Sequence, residues 1–134
     1  MRRLLALSCA ALCPLAFAAC GTASTTAGFK GTEHDVAQTV ANLQSDITSG
    51  EQKKICENDL AAAAVKRLGG QAGCESTIKE QLAEIDNTEL EVKSVKLEGS
   101  KATASVQNVQ NGKKRLTNVV LVEEGGKWKI SSIQ

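Results

Sequence analysis

Three stretches of the chain repeat apolar residues every three or four positions, which is the spacing of one face of an α-helix. The first stripe comprises Val36, Val40, Leu43 and Ile47. Thr32 is a suitable N-cap in front of it, and Gly50 follows it. The second stripe lies between about Gln52 and Leu68, and the third begins near Cys74. The pattern therefore predicts three helices in succession.

After residue 87 the apolar period changes to two, which is the period of β-strands. The first strand changes phase at Ser94–Val95, where we expect a bulge. Asn111–Gly112 is a strong hairpin signal, and Val119 to Val122 is apolar on both faces. A final strand contains Trp128. Three helices followed by four strands with short turns predict an α+β fold, with the helices packed on one face of a curved four-stranded antiparallel sheet.

The first 20 residues have the organisation of a signal peptide. Two arginines follow Met1, residues 4–19 are apolar, and small residues precede Cys20. The stretch before Cys20 resembles the lipidation box of bacterial lipoproteins, although Phe17 stands where that box usually has leucine. The resemblance implies cleavage before Cys20 and palmitate-type acyl chains on its sulfur. An uncleaved anchor helix and a secreted, non-lipidated protein are the alternatives.

These observations predict the domain organisation and the location of the chain. Residues 1–19 form the leader, residues 20–31 are a small and polar tether, and residues 32–134 form one domain. We therefore expect a protein that its lipid holds on the extracytoplasmic face of a cell membrane.

The two cysteines that remain after Cys20 are expected to pair. Cys9 and Cys13 lie in the leader, which leaves Cys56 and Cys74 as an even pair in an oxidising compartment. Both lie on the apolar faces of consecutive predicted helices, where a disulfide would join the two. A catalytic dithiol is the alternative, but redox pairs usually have the closer spacing Cys-x-x-Cys.

Charge and aromatic content exclude some classes of partner. The full chain has a net charge of +1, and loss of Arg2 and Arg3 with the leader makes it −1. Nucleic-acid binding favours a strongly basic domain, so we expect no nucleic-acid partner. Phe29 and Trp128 are the two aromatic residues outside the leader, too few for a stacking platform.

The order of elements resembles the NTF2-like fold, a cone in which a curved sheet wraps the first helix. The closing segment Gly125-Gly126-Lys127-Trp128-Lys129-Ile130 resembles the last strand of such domains. The Cys56/Cys74 pair resembles that of small bacterial NTF2-like lipoproteins of unknown function. The resemblance covers residues 32–134. It implies a cone cavity that could hold a ligand or, in the SnoaL and ketosteroid-isomerase type, an active site.

Few residues of the chain suggest chemistry. Asp46 and Asp59 each adjoin an apolar helix position and could enter a cavity, although such residues more often mark the solvent border of a helix. Trp128 could form the floor of a pocket or belong to the core. His34 is the single histidine, so we predict neither a metal site nor a cofactor.

These features favour a non-catalytic, lipid-anchored domain that binds a small molecule or an envelope protein. An isomerase-type enzyme with a buried carboxylate is the first alternative, and an accessory subunit of an envelope complex is the second. The apolar outer side of Val119–Val122 could also support a homodimer.

Overall fold

The computed structural model describes residues 26–85 and 89–134. The leader, Cys20 and the first part of the tether therefore lie outside the described residues. The helical segments are α1 (Gly31–Thr48), α2 (Gln52–Lys54) with a π-helical turn (Ile55–Asp59), α3 (Ala62–Arg67) and α4 (Gly70–Ala83). The strands are β1 (Leu90–Glu98), β2 (Lys101–Gln110), β3 (Lys113–Glu124) and β4 (Lys127–Ile133).

The four strands form one antiparallel sheet in the order β1-β2-β3-β4, as predicted. Each strand pairs with the next through a short turn, and Asn111 and Gly112 both have positive φ angles, as the predicted hairpin turn requires. Extra residues interrupt the ladder between Val92 and Ser94 in β1 and opposite the Val120–Leu121 step of β3. The first bulge lies slightly before the predicted position, Ser94–Val95. Such bulges bend strands and increase their twist.

Helix α1 packs its apolar stripe against the sheet. Val36 and Val40 are fully buried and Leu43 nearly so. The helix begins at Gly31, with Lys30 in the N-cap position, because the amide of His34 already donates to the carbonyl of Lys30. The predicted N-cap, Thr32, therefore lies within the first helical turn.

The predicted second helix is interrupted, which corrects the expectation of one helix from Gln52 to Leu68. Leu60 and Ala61 are extended, and the amide of Ala61 donates to the carbonyl of Ile130 at 2.8 Å. This short extended segment lies along β4. The amide of Ala62 donates to the Glu124 carboxylate at 3.1 Å, which satisfies the start of α3. Hydrogen bonding to the sheet edge thus replaces helical hydrogen bonding at this point.

The interior between α1 and the sheet is filled by small and medium aliphatic side chains. Helix α1 and all four strands contribute residues to this interior. The buried residues include Val36, Val40, Leu43, Val92, Ala102, Ala104, Val106, Val119, Leu121 and Ile130. Burial of this apolar surface is the main favourable contribution to folding.

The predicted disulfide between Cys56 and Cys74 is present. Cys56 lies in the π-helical turn and Cys74 lies in α4, with their Cα atoms 6.1 Å apart. Both residues are buried. The bond therefore joins the π-helical turn to α4.

Candidate functional site

A polar cleft of about 580 Å³ lies between α1, the end of the π-helical turn and the β3–β4 hairpin. Its volume is within the range of small-molecule sites. Its lining residues are Thr32, Asp35, Gln38, Thr39, Asn42, Asn58, Asp59, Gly99, Glu123, Gly126, Lys127, Trp128 and Lys129. The cleft extends along α1 from Thr32, in the first turn of the helix, to Asn42.

Helix α1 supplies one wall because its polar residues also recur with helical spacing. Asp35, Gln38, Thr39 and Asn42 all line the cleft. The Thr39 hydroxyl is within 3.3 Å of the Trp128 carbonyl and 3.1 Å of the Asp35 carbonyl, so it can donate to either. The contact with Trp128 fixes the position of this wall relative to β4.

The opposite wall comes from the β3–β4 hairpin. Trp128 is buried except for a small part of its side chain and lines the cleft. Lys129 lies beside it and donates through Nζ to the carbonyl oxygens of Glu57 and Asn58. These bonds hold the Lys129 ammonium against the end of the π-helical turn.

Asp59, the last residue of the π-helical turn, has the most perturbed environment in the cleft. Asp59 is 3% exposed, and its Oδ2 atom is buried without a hydrogen-bond partner. The pKa of Asp59 is raised from 3.8 to about 7, and burial is the largest cause. The charge of Asp46 and a hydrogen bond with Asp46 also raise this pKa, whereas the charge of Lys129 lowers it.

Asp46 and Asp59 therefore form a carboxyl pair. With both groups ionised, neither can donate a hydrogen bond, and each repels the other. A proton on Asp59 removes the repulsion and gives the pair a hydrogen bond between its two members. Asp59 thus holds its proton below about pH 7 and loses it near neutrality.

The structure places two of the three residues that the sequence suggested for a pocket in the lining of the cleft, and the third lies outside that lining. Asp59 and Trp128 line the cleft, and the half-buried Asp46 is beside Asp59. Cys20 lies outside the described residues. His34 is half-exposed, with Nδ1 3.8 Å from the Asp35 carboxylate. Within the described parts of the chain, no group of three or more potential ligands could hold a metal ion.

Sequence reasoning missed the amide groups of Gln38, Asn42 and Asn58. The first two had a usable signal, because they share the polar stripe of α1 with Asp35 and Asp46. Asn58, and also Lys129, had no such signal in the sequence, since their place in the cleft depends on the interruption of the predicted second helix.

The outer face of the sheet is a second surface of interest. Val120 and Val122 are half-buried there, opposite in orientation to Val119 and Leu121, and the neighbouring Leu116 is 67% exposed.

Among the described residues, no helix is sufficiently long and apolar to cross a membrane.

Comparisons with known proteins define the fold. No protein-family profile and no curated protein match the sequence. A solved Rd1NTF2 variant aligns over 75% of this chain and 96% of its own, with a TM-score of 0.52 and 16% identity. The chain therefore has the NTF2-like α+β fold, as the sequence resemblance implied.

Two further solved structures align less well. An NTF-2 like protein of unknown function from Silicibacter pomeroyi DSS-3 aligns with a TM-score of 0.37 and 12% identity, over 73% of this chain and 94% of its own. A de novo designed protein with a curved β-sheet aligns with a TM-score of 0.39 and 17% identity, over 48% of this chain and 61% of its own.

Proposed function

We propose that this chain is a non-catalytic binding domain whose polar cleft binds a small polar molecule. We further propose that acyl chains on Cys20 hold the domain on the extracytoplasmic face of a cell membrane. The binding proposal rests on one observation, that the apolar core and the polar cleft are separate parts of the domain. Aliphatic side chains occupy the space between α1 and the sheet. The open volume is instead lined by amides and charged groups. Such a site suits a polar ligand better than an apolar one.

The sequence before α1 supports the anchoring part of the proposal. The basic and apolar leader ends in small residues and Cys20, and a short polar segment joins Cys20 to α1. Two or more acyl chains on one cysteine give stable membrane attachment, whereas a single chain does not.

Replacement of Cys20 by serine tests the anchor. In bacterial cells we expect the wild-type protein in the membrane fraction, with an intact mass that reports loss of residues 1–19 and gain of acyl chains. We expect Cys20→Ser to leave that fraction, since the acyl chains supply about 0.8 kcal/mol per buried CH₂ group. Cys13→Ser in the leader is the matched control and should behave as wild type. A wild-type mass that retains the leader without acyl chains would contradict the anchor.

Fluorescence of Trp128 tests the binding part. Trp128 is the single tryptophan of the chain and lines the cleft, so its emission reports occupancy. Titration of the purified domain with amino acids, sugars, dicarboxylates and polyamines should change the emission for one class and leave the others without effect. A further variant, Asn42→Ala, should weaken that response because it removes an amide from the cleft wall. A flat response to every class would count against a binding role for the cleft.

An isomerase-type enzyme is the second candidate, and the raised pKa of Asp59 favours it. A carboxyl group that titrates near 7 suits a general acid or base at neutral pH. An enzyme of this type would promote uptake of solvent deuterium beside the carbonyl of a small ketone, and Asp59→Asn would abolish that uptake. A binding domain would show no such exchange.

A further inference from the structure

We propose that the cleft binds the cationic group of a small organic molecule, a primary ammonium or a guanidinium, at the carboxyl group of Asp59. This inference rests on the proposed binding function and names the chemical class of its ligand.

The carboxyl pair lacks a cation in direct contact. None of the ion pairs formed within residues 26–85 and 89–134 includes Asp46 or Asp59. The nearby Lys129 uses its Nζ atom to bind two backbone carbonyl oxygens. Two adjacent ionised carboxyl groups repel each other, and either a proton or an external positive charge relieves that repulsion.

The cleft gives such a cation access to Asp59. Asp59 lines the cleft, and its buried Oδ2 atom has no hydrogen-bond donor. An unsatisfied buried acceptor is unfavourable, so an N–H donor from a ligand gains more here than at a solvated carboxylate. The amide oxygens of Asn42 and Asn58, which also line the cleft, offer further acceptors.

Proton and ligand then compete for the same carboxyl group. The charged groups that act on Asp59 are Asp46 from α1 and Lys129 from β4; Asp35, Glu123 and Lys127 also line the cleft. Because Asp59 is protonated below about pH 7, a cation must displace that proton to bind. Affinity should therefore rise with pH through about 7 and become constant above about pH 8.

Calorimetric titration with putrescine tests the inference, with 1,4-butanediol as an uncharged ligand of the same chain length. We expect putrescine to bind the purified domain, with an affinity about tenfold higher at pH 8 than at pH 6 and with release of about one proton at pH 6. We expect 1,4-butanediol to show no binding. Asp59→Asn should weaken putrescine binding about tenfold or more, whereas Glu80→Gln, on the exposed side of α4, should leave it unchanged.

Three results would overturn the inference. They are equal binding of putrescine and butanediol, an unaltered affinity in Asp59→Asn, and absence of putrescine binding at pH 8. If Trp128 emission then responded to a dicarboxylate or a sugar, the cleft would still be a binding site and the cation assignment alone would be wrong. If no class of compound altered the emission, the proposed binding function would also fail.

Discussion

Replacement of Asp59 by asparagine should stabilise the folded protein by about 4 kcal/mol at pH 8 and have little effect at pH 4. The pKa of Asp59 is raised from 3.8 to about 7 in the folded state, chiefly by burial and then by Asp46. Between these two values the folded protein binds the proton and the unfolded chain releases it. Wild-type stability therefore falls as pH rises through this range and levels off above about 7.

Asparagine removes this dependence because it carries no charge at any pH in the range. Its Nδ2 atom can also donate to Asp46, as the protonated carboxyl does. Urea unfolding at fixed ionic strength, from pH 4 to pH 8, measures the free energy of unfolding of both proteins. The difference between them should grow with pH and then become constant.

Glu80→Gln is the matched control, because it removes one exposed carboxylate and should retain the wild-type pH dependence. Parallel pH profiles for wild type and Asp59→Asn would show that Asp59 titrates at an ordinary pKa. The carboxyl pair would then be fully solvated in solution, and the cleft would lose its unsatisfied acceptor.

Removal of the Cys56–Cys74 disulfide should lower the free energy of unfolding by about 3 kcal/mol. The bond joins residues separated by 18 positions, and it restricts the unfolded chain more than the folded one. The double variant Cys56→Ala, Cys74→Ala is preferable to serine, because both sites are buried and apolar. Urea unfolding of this variant against oxidised wild type gives the difference directly.

Wild type unfolded in the presence of a reductant should move toward the double variant, and the double variant should not respond to the reductant. Ser76→Ala, at an exposed position of α4, controls for a general effect of substitution in that helix. Equal stability of oxidised and reduced wild type would mean that the disulfide adds no constraint to the unfolded chain.

The arrangement of the sheet and of α1 could be predicted from the sequence, because their patterns are local. Val36, Val40 and Leu43 recur with helical spacing and are all buried in α1. Asn111–Gly112 determines its hairpin through backbone conformations that few other residue pairs adopt easily. In both cases the residues that determine the local structure are close to one another in the sequence.

The interruption of the second helix could not be predicted in the same way. Residues Ala61 to Ala64 have high helix propensity, yet the amide of Ala61 donates to Ile130, almost 70 positions later in the chain. That contact exists only once β4 is in place. The same interruption determines the environment of Asp59, so the burial of its carboxyl group was also hidden from sequence analysis.

The extended residues Leu60 and Ala61 have a consequence for how copies of this protein meet at high concentration. They cover part of the β4 border of the sheet, where unpaired backbone groups would otherwise invite a strand from a neighbour. At the β1 border, charged pairs join Glu91 to Lys93 and Lys96 to Glu98. We therefore expect that neighbouring copies do not pair edge to edge at these protected stretches.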